Sequence, residues 1–88
     1  MSFKIELTKA AAKELRSFPK AAQKRIAKTI ESLSENPPDP AKTKMKGNNP
    51  FHRVRVGDYR MIYEIQDDIL LILIVKMGHR KDVYKHLP

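Results

Sequence analysis

The chain has no cysteine, only three glycines, and 10 acidic side chains against 18 basic ones. Without cysteine it carries neither a disulfide nor a thiolate metal site, and thiol usage cannot report the redox compartment. Its histidines, His52, His79 and His86, show no ligand spacing, so neither metal nor cofactor is expected. Long hydrophobic runs are missing too. The apolar run from Ile69 to Val75 is far too short to span a bilayer, and Met1-Ser2-Phe3-Lys4-Ile5 shows no signal-peptide core. No membrane association is expected, and a cytoplasmic location follows by default.

What is present is cationic. The formal charge is +8 over 88 residues, with a pI near 9.9, which points to a polyanionic partner: nucleic acid, an anionic membrane or an acidic protein. Residues 1–88 make one domain, long enough for a single core and too short for a second.

Phe3, Ile5 and Leu7 alternate with Lys4 and Glu6, the pattern of a short strand with one buried face. Thr8 offers an N-cap hydroxyl to a helix over 9–17 with Ala11, Ala12 and Leu15 on one side. Pro19 suits the first turn of a second helix over 20–35, whose apolar stripe is Ala22, Ile26, Ile30 and Leu33. The two helices should form a hairpin. Asn36-Pro37-Pro38-Asp39-Pro40 stops the second helix, and residues 36–50 read as an exposed loop. Three strands follow, over 51–56, 59–65 and 69–77, separated by Gly57-Asp58 and Asp67-Asp68. The predicted fold is α+β in the order β-α-α-β-β-β, with the helical hairpin packed on one face of a small, mainly antiparallel sheet.

The segment Phe51-His52-Arg53-Val54-Arg55-Val56-Gly57-Asp58-Tyr59-Arg60 concentrates cations without matching acids, and Gly78-His79-Arg80-Lys81-Asp82-Val83-Tyr84 does so again. Alternation in 52–56 sends Arg53 and Arg55 to one face and His52, Val54 and Val56 to the other. The two guanidinium groups then stand about 6.5 to 7 Å apart along the strand. Like charges so close favour an anion lying across them; for either arginine alone, a solvated strand face is the plain alternative. Arg60 would share a face with Ile62 and Glu64, so Glu64 offers a structural ion pair as the alternative to phosphate binding. Tyr59, Met61, Tyr63 and Ile65 are assigned to the core. Lys9, Lys13, Lys20, Lys24, Arg25 and Lys28 form a solvated helix face that would also suit nucleic-acid phosphates.

The ordered series of elements, the Arg-x-Arg-x-Gly-Asp-Tyr-Arg run at 53–60 and the closing Gly-His-Arg-Lys-Asp-Val-Tyr at 78–84 resemble the RelE/ParE superfamily of bacterial and archaeal toxins over nearly the whole chain. Leu33, Asn36-Pro37 and Lys44-Met45-Lys46-Gly47 add to the resemblance. It implies a toxin of a type II toxin-antitoxin pair, most like the RelE branch, a metal-independent endoribonuclease that cleaves mRNA in the ribosomal A site and so inhibits translation. The implied partners are a small acidic RelB-like antitoxin, the ribosome and mRNA, with operator DNA left open as a target of the toxin-antitoxin complex. By position, Arg53 and Arg55 match a pair of catalytic basic residues. Arg60 matches the arginine on the scissile phosphate, Arg80 the arginine near the C-terminus, and Tyr84 a tyrosine at the cleaved nucleotide. Lys46 and Lys81 extend the expected RNA contact made by Arg53 and Arg55.

RNA is cut without metal when its 2′-hydroxyl attacks the neighbouring phosphorus and expels the 5′-oxygen, given a base, an acid and charge stabilisation. Arginine stays protonated, so Arg53 and Arg55 cannot act as the base that lysine would supply. His79 has the suitable pKa range and is the candidate base, with a structural or merely exposed histidine as the alternative. Tyr84 is read either as a site residue or as a C-terminal anchor. Two further functions compete: a ParE-like DNA gyrase inhibitor without nuclease activity, and an inactive homologue that binds antitoxin.

Overall fold

The computed structural model describes residues 2–37 and 40–79. A strand β1 (Lys4–Leu7) leads into helices α1 (Lys9–Ser17) and α2 (Lys20–Glu35) and a single turn α3 (Pro40–Thr43). Then come β2 (Phe51–Val56), β3 (Tyr59–Gln66), a 3₁₀ turn (Asp67–Ile69) and β4 (Leu71–His79). The strands form one sheet in the order β1-β4-β3-β2, in which β1 runs parallel to β4 and the other pairs are antiparallel. The α+β expectation holds, with α3 as an addition.

Local chemistry explains the helices. The Thr8 hydroxyl accepts the Ala11 N–H at 3.1 Å, closing the N-terminus of α1. Pro19, with φ fixed at −55°, opens α2, and the Gln23 amide donates to the Phe18 carbonyl at 2.8 Å across the link between the helices. Ala11, Ile26 and Leu33 present the apolar stripes and are buried against Met61, Tyr63, Ile72, Ile74 and Met77 of the sheet. Each large side chain so buried contributes about 1.5 to 3 kcal/mol. The far end of α2 clamps β1: Phe3 N–H donates to the Ser34 carbonyl at 2.8 Å, and the Ser34 hydroxyl donates back to the Phe3 carbonyl at 2.6 Å.

The reading of residues 36–50 as one exposed loop needs correcting. Thr43 Oγ1 meets His52 Nδ1 at 2.9 Å, Lys44 bridges to His52, and Met45 N–H donates to the Phe51 carbonyl at 2.9 Å. The second half of the segment is therefore laid along the outer edge of β2. The boundary of the last strand also moves, from 69–77 to Leu71–His79. Asp67 and Asp68 start a 3₁₀ turn that consumes Ile69, which is 61 % exposed, and Leu70 takes a left-handed φ of 50° before the strand begins.

One register shift organises the sheet. Ile62 pairs with Lys76 but Tyr63 pairs with Ile74, so Val75 is an extra residue in β4. Past this bulge the alternation is re-phased, and Met77 rather than Gly78 joins Ile72 and Ile74 in the core. β1 covers β4 only from Leu71 to Ile74. Beyond it α1 satisfies the open edge: the Thr8 hydroxyl donates to the Val75 carbonyl at 2.9 Å, and the Glu14 carboxylate accepts the Met77 N–H at 3.1 Å while holding the Lys76 ammonium at 3.1 Å.

Replacing Glu14 by alanine orphans the Met77 N–H and is expected to cost about 1 to 3 kcal/mol in urea unfolding. Glu14→Gln keeps an acceptor for Met77 and should lose clearly less. Equal losses in the two variants would assign the effect to the Lys76 ion pair instead.

Candidate nucleic-acid interface

The strand β2 has its apolar side on the helices and its cations in solvent, as alternation requires. His52 and Val56 are buried and Val54 half-buried, whereas Arg53 and Arg55 are exposed. Across the ladder Arg55 faces Arg60, and Arg53 faces Ile62. Directly opposed residues place their Cβ atoms about 4.5 to 5.5 Å apart, so Arg53, Arg55 and Arg60 share the sheet face turned away from the helices. On its other side Arg60 faces Gly78, which adds no side chain beside the guanidinium.

The same face carries a small apolar island. Phe51 and Ile62 are buried there, with Met45 and Val75 packed against them. The turn that brings Met45 over the island is held by its own polar groups. The Lys44 ammonium bonds to the Asn49 carbonyl, the Asn49 amide donates to the Lys46 carbonyl at 3.0 Å, and Asn49 Oδ1 accepts the Phe51 N–H at 3.0 Å. Gly47, at φ 101°, supplies the positive angle this turn needs. Between the turn and the strand lies a concavity of about 500 Å³ lined by Lys44, Met45, Lys46 and Arg53. Of these, Lys46 and Arg53 were expected at an RNA contact from the sequence, and Lys44 and Met45 were not.

Behind Arg53, on the helix side, sits a polar cluster. The His52 ring stacks on Tyr63 with centroids 5.5 Å apart and an interplanar angle of 22°, and Thr43 closes over His52. The Tyr63 hydroxyl is fully buried and makes no well-formed hydrogen bond. Burial pushes its pKa above the ordinary tyrosine value, and the nearby Thr43 hydroxyl offsets only part of that rise.

His79, the candidate base, pairs across the ladder with Tyr59 and so lies on the helix side of the sheet. Its ring meets Tyr59 edge-on at 5.2 Å, and its Nε2 is 4.0 Å from an Asp58 carboxylate oxygen. Tyr59 in turn packs on Phe18 at 4.5 Å. The structure thus brings Arg53, Arg55, Arg60 and Lys46 to one face and sets His79 apart from them. The bulge in β4 is the cause, since it exchanges the sides of Gly78 and His79. Arg80, Lys81 and Tyr84 lie outside the described residues. Among the described residues no cluster of His, Asp or Glu could hold a metal ion, and no helix is long and apolar enough to cross a membrane.

The helical pair on a four-stranded mixed sheet is an architecture shared with solved proteins of toxin-antitoxin systems. A family described as "ParE toxin of type II toxin-antitoxin system, parDE" matches residues 5–84. Toxin RelE3 of Methanocaldococcus jannaschii is 33 % identical over 89 residues, covering 97 % of this chain and 99 % of the relative. The solved archaeal RelE-RelB complex from Pyrococcus horikoshii OT3 superposes with a TM-score of 0.77 at 30 % identity, covering 92 % of this chain and 98 % of that one. The isolated Escherichia coli RelE toxin shares the fold, with a TM-score of 0.80 at 18 % identity over 91 % of this chain and 86 % of that one. The chain belongs to the RelE/ParE superfamily of type II toxins and is of RelE type.

The raised pKa of Tyr63 has a sign. The unfolded chain would lose this proton near pH 10 while the folded chain holds it to higher pH. Stability contributed by the neutral phenol is therefore complete below about pH 10 and lost as pH rises through the folded value. Urea midpoints measured from neutral to alkaline pH should fall above about pH 10 in the wild type and fall less in Tyr63→Phe; parallel curves would remove Tyr63 from the alkaline transition.

Proposed function

We propose that this toxin is a ribosome-dependent, metal-independent endoribonuclease that cleaves mRNA in the A site. The observation that carries the reading is the convergence of Arg53, Arg55 and Arg60 on one exposed face, in a chain whose relatives bear RelE names. Three guanidinium groups on one face suit one scissile phosphate and its neighbours. Arg60, half-buried and opposite Arg55, grips the phosphate whose oxygens gain charge as the 2′-hydroxyl attacks and the 5′-oxygen leaves. Arg53 and Arg55 hold the flanking phosphates, and Lys46 extends the track.

None of the three arginines accepts the 2′-hydroxyl proton, because guanidinium does not deprotonate. His79 lies on the other face of the sheet and is left out of the chemistry. Arg60 therefore acts through charge stabilisation and orientation, and by the family resemblance Arg80 and Tyr84 complete the site. The neutralising partner is an acidic antitoxin of the RelB kind, as in the solved RelE-RelB complex, drawn to a chain of net charge +8. Toxin, antitoxin and ribosome would meet in the cytoplasm.

In a reconstituted translation reaction read by primer extension, wild-type protein should cut mRNA only when ribosomes are present. Arg60→Ala should slow cutting by about 10²- to 10³-fold with its circular dichroism unchanged, and Tyr84→Phe should weaken it. Intact mRNA together with inhibited DNA gyrase supercoiling would overturn the nuclease in favour of a ParE-like activity. Intact mRNA with neither effect would leave an inactive homologue that binds antitoxin.

A further inference from the structure

The concavity beside Arg53 has a composition that a phosphate track alone does not need. Exposed Lys44, Lys46 and Arg53 line it together with Met45, which is half-buried against Phe51 and Ile62. Lys44 is engaged in holding the turn through Asn49, which leaves Lys46 as the lysine whose described role is still open. A surface for inorganic anions or for a duplex backbone would be polar throughout. An apolar side chain among three cations instead suits an anion that carries a flat apolar body. The volume of about 500 Å³ falls within the ordinary range of small-ligand sites.

We infer that this concavity is a nucleotide subsite, in which one base of single-stranded RNA lies on the Met45 thioether while its phosphate is held by Lys46 and Arg53. The inference rests on the RNA-cleaving reading and adds to it a place for a base next to the phosphate held at Arg60. Arg53 reaches both, because it lines the concavity and stands two residues from Arg55 on the same face. Methionine is unbranched and polarizable, so its sulfur packs against ring faces and edges of differing shape. Such a side chain accepts any base, with larger rings gaining more contact. The turn is built to present it: Asn49 ties the Lys46 carbonyl and the Phe51 N–H together, and the Met45 N–H is fixed on the Phe51 carbonyl. The methionine backbone is thereby held where the residue lines the concavity.

The test uses the methionine methyl groups of the whole chain as reporters in NMR. Met61 and Met77 are fully buried on the other side of the sheet and serve as internal controls; Met45→Leu identifies the Met45 signal by its loss. Titration with adenosine 5′-monophosphate should move the Met45 methyl upfield through the ring current and leave Met61 and Met77 in place. Ribose 5-phosphate, which lacks the base, should leave the Met45 methyl where it is. Met45→Ala should weaken the nucleotide about 5- to 10-fold, followed on the Lys46 amide, in the range that thioether–ring contacts contribute, and leave ribose 5-phosphate binding unchanged. An unmoved Met45 methyl, or equal shifts from the two ligands, would overturn the subsite. The nuclease reading is judged separately, by mRNA ends: cleavage with an unmoved Met45 removes the subsite alone. A base-dependent Met45 shift without cleavage keeps the subsite and removes the nuclease.

Discussion

The arrangement of the sheet depends on how the second half of β4 is held once β1 has ended. β1 is only four residues long, and from Val75 onward the edge of β4 would present unpaired backbone groups. α1 supplies the missing partners, Thr8 to the Val75 carbonyl and Glu14 to the Met77 N–H. Both lie within the reach of one bulge, so a single helix fixes the place where the side-chain alternation of the central strand changes phase. From that phase change follow the burial of Met77, the placement of Gly78 opposite Arg60, and the removal of His79 to the helix side. Unsatisfied backbone groups are costly enough that this edge, more than any single apolar contact, determines which residues meet on the basic face.

On β2 the two faces divide the work. The helix side is closed by Thr43, His52 and Tyr63, a polar cluster whose members are held by stacking and by α3. The outer side carries the arginines. Because Thr43 and Lys44 are consecutive and both engage His52, the buried histidine sets the register of the basic turn relative to Arg53. His52 thus supports the cationic surface from the helix side.

Charge of one sign dominates the outer face. Arg55 and Arg60 oppose one another across the ladder, where like charges destabilise the sheet. Arg55 is exposed and Arg60 half-buried, and an anion placed between them converts the repulsion into attraction. The same property suits a polyanionic substrate and an acidic antitoxin, and either would be weakened by salt. A family that gathers proteins named ParE and RelE on one architecture is consistent with function residing in side chains placed on the scaffold and not in the scaffold itself.

The helices, their caps and the first two antiparallel strands were legible in the chain because each rests on local chemistry. Thr8 and Pro19 mark helix starts, the apolar stripes have helical spacing, and the Arg-x-Arg alternation has the period of a strand. These signals lie within a few residues of what they control, and so they also assigned Arg53 and Arg55 to one exposed face. The bulge at Val75 has no such local mark: Ile69 to Val75 is apolar at every position, so nothing in the run shows where its phase changes or that Ile69 is left outside. Likewise Met45 reads as one apolar residue in a loop until Phe51 and Ile62 supply a floor beneath it. Composition and periodicity alone determined the element order, the cationic character and the face of the arginines on β2. Only the tertiary structure decided which side His79 occupies and where Met45 rests, because both depend on hydrogen bonds and packing between segments far apart in the chain.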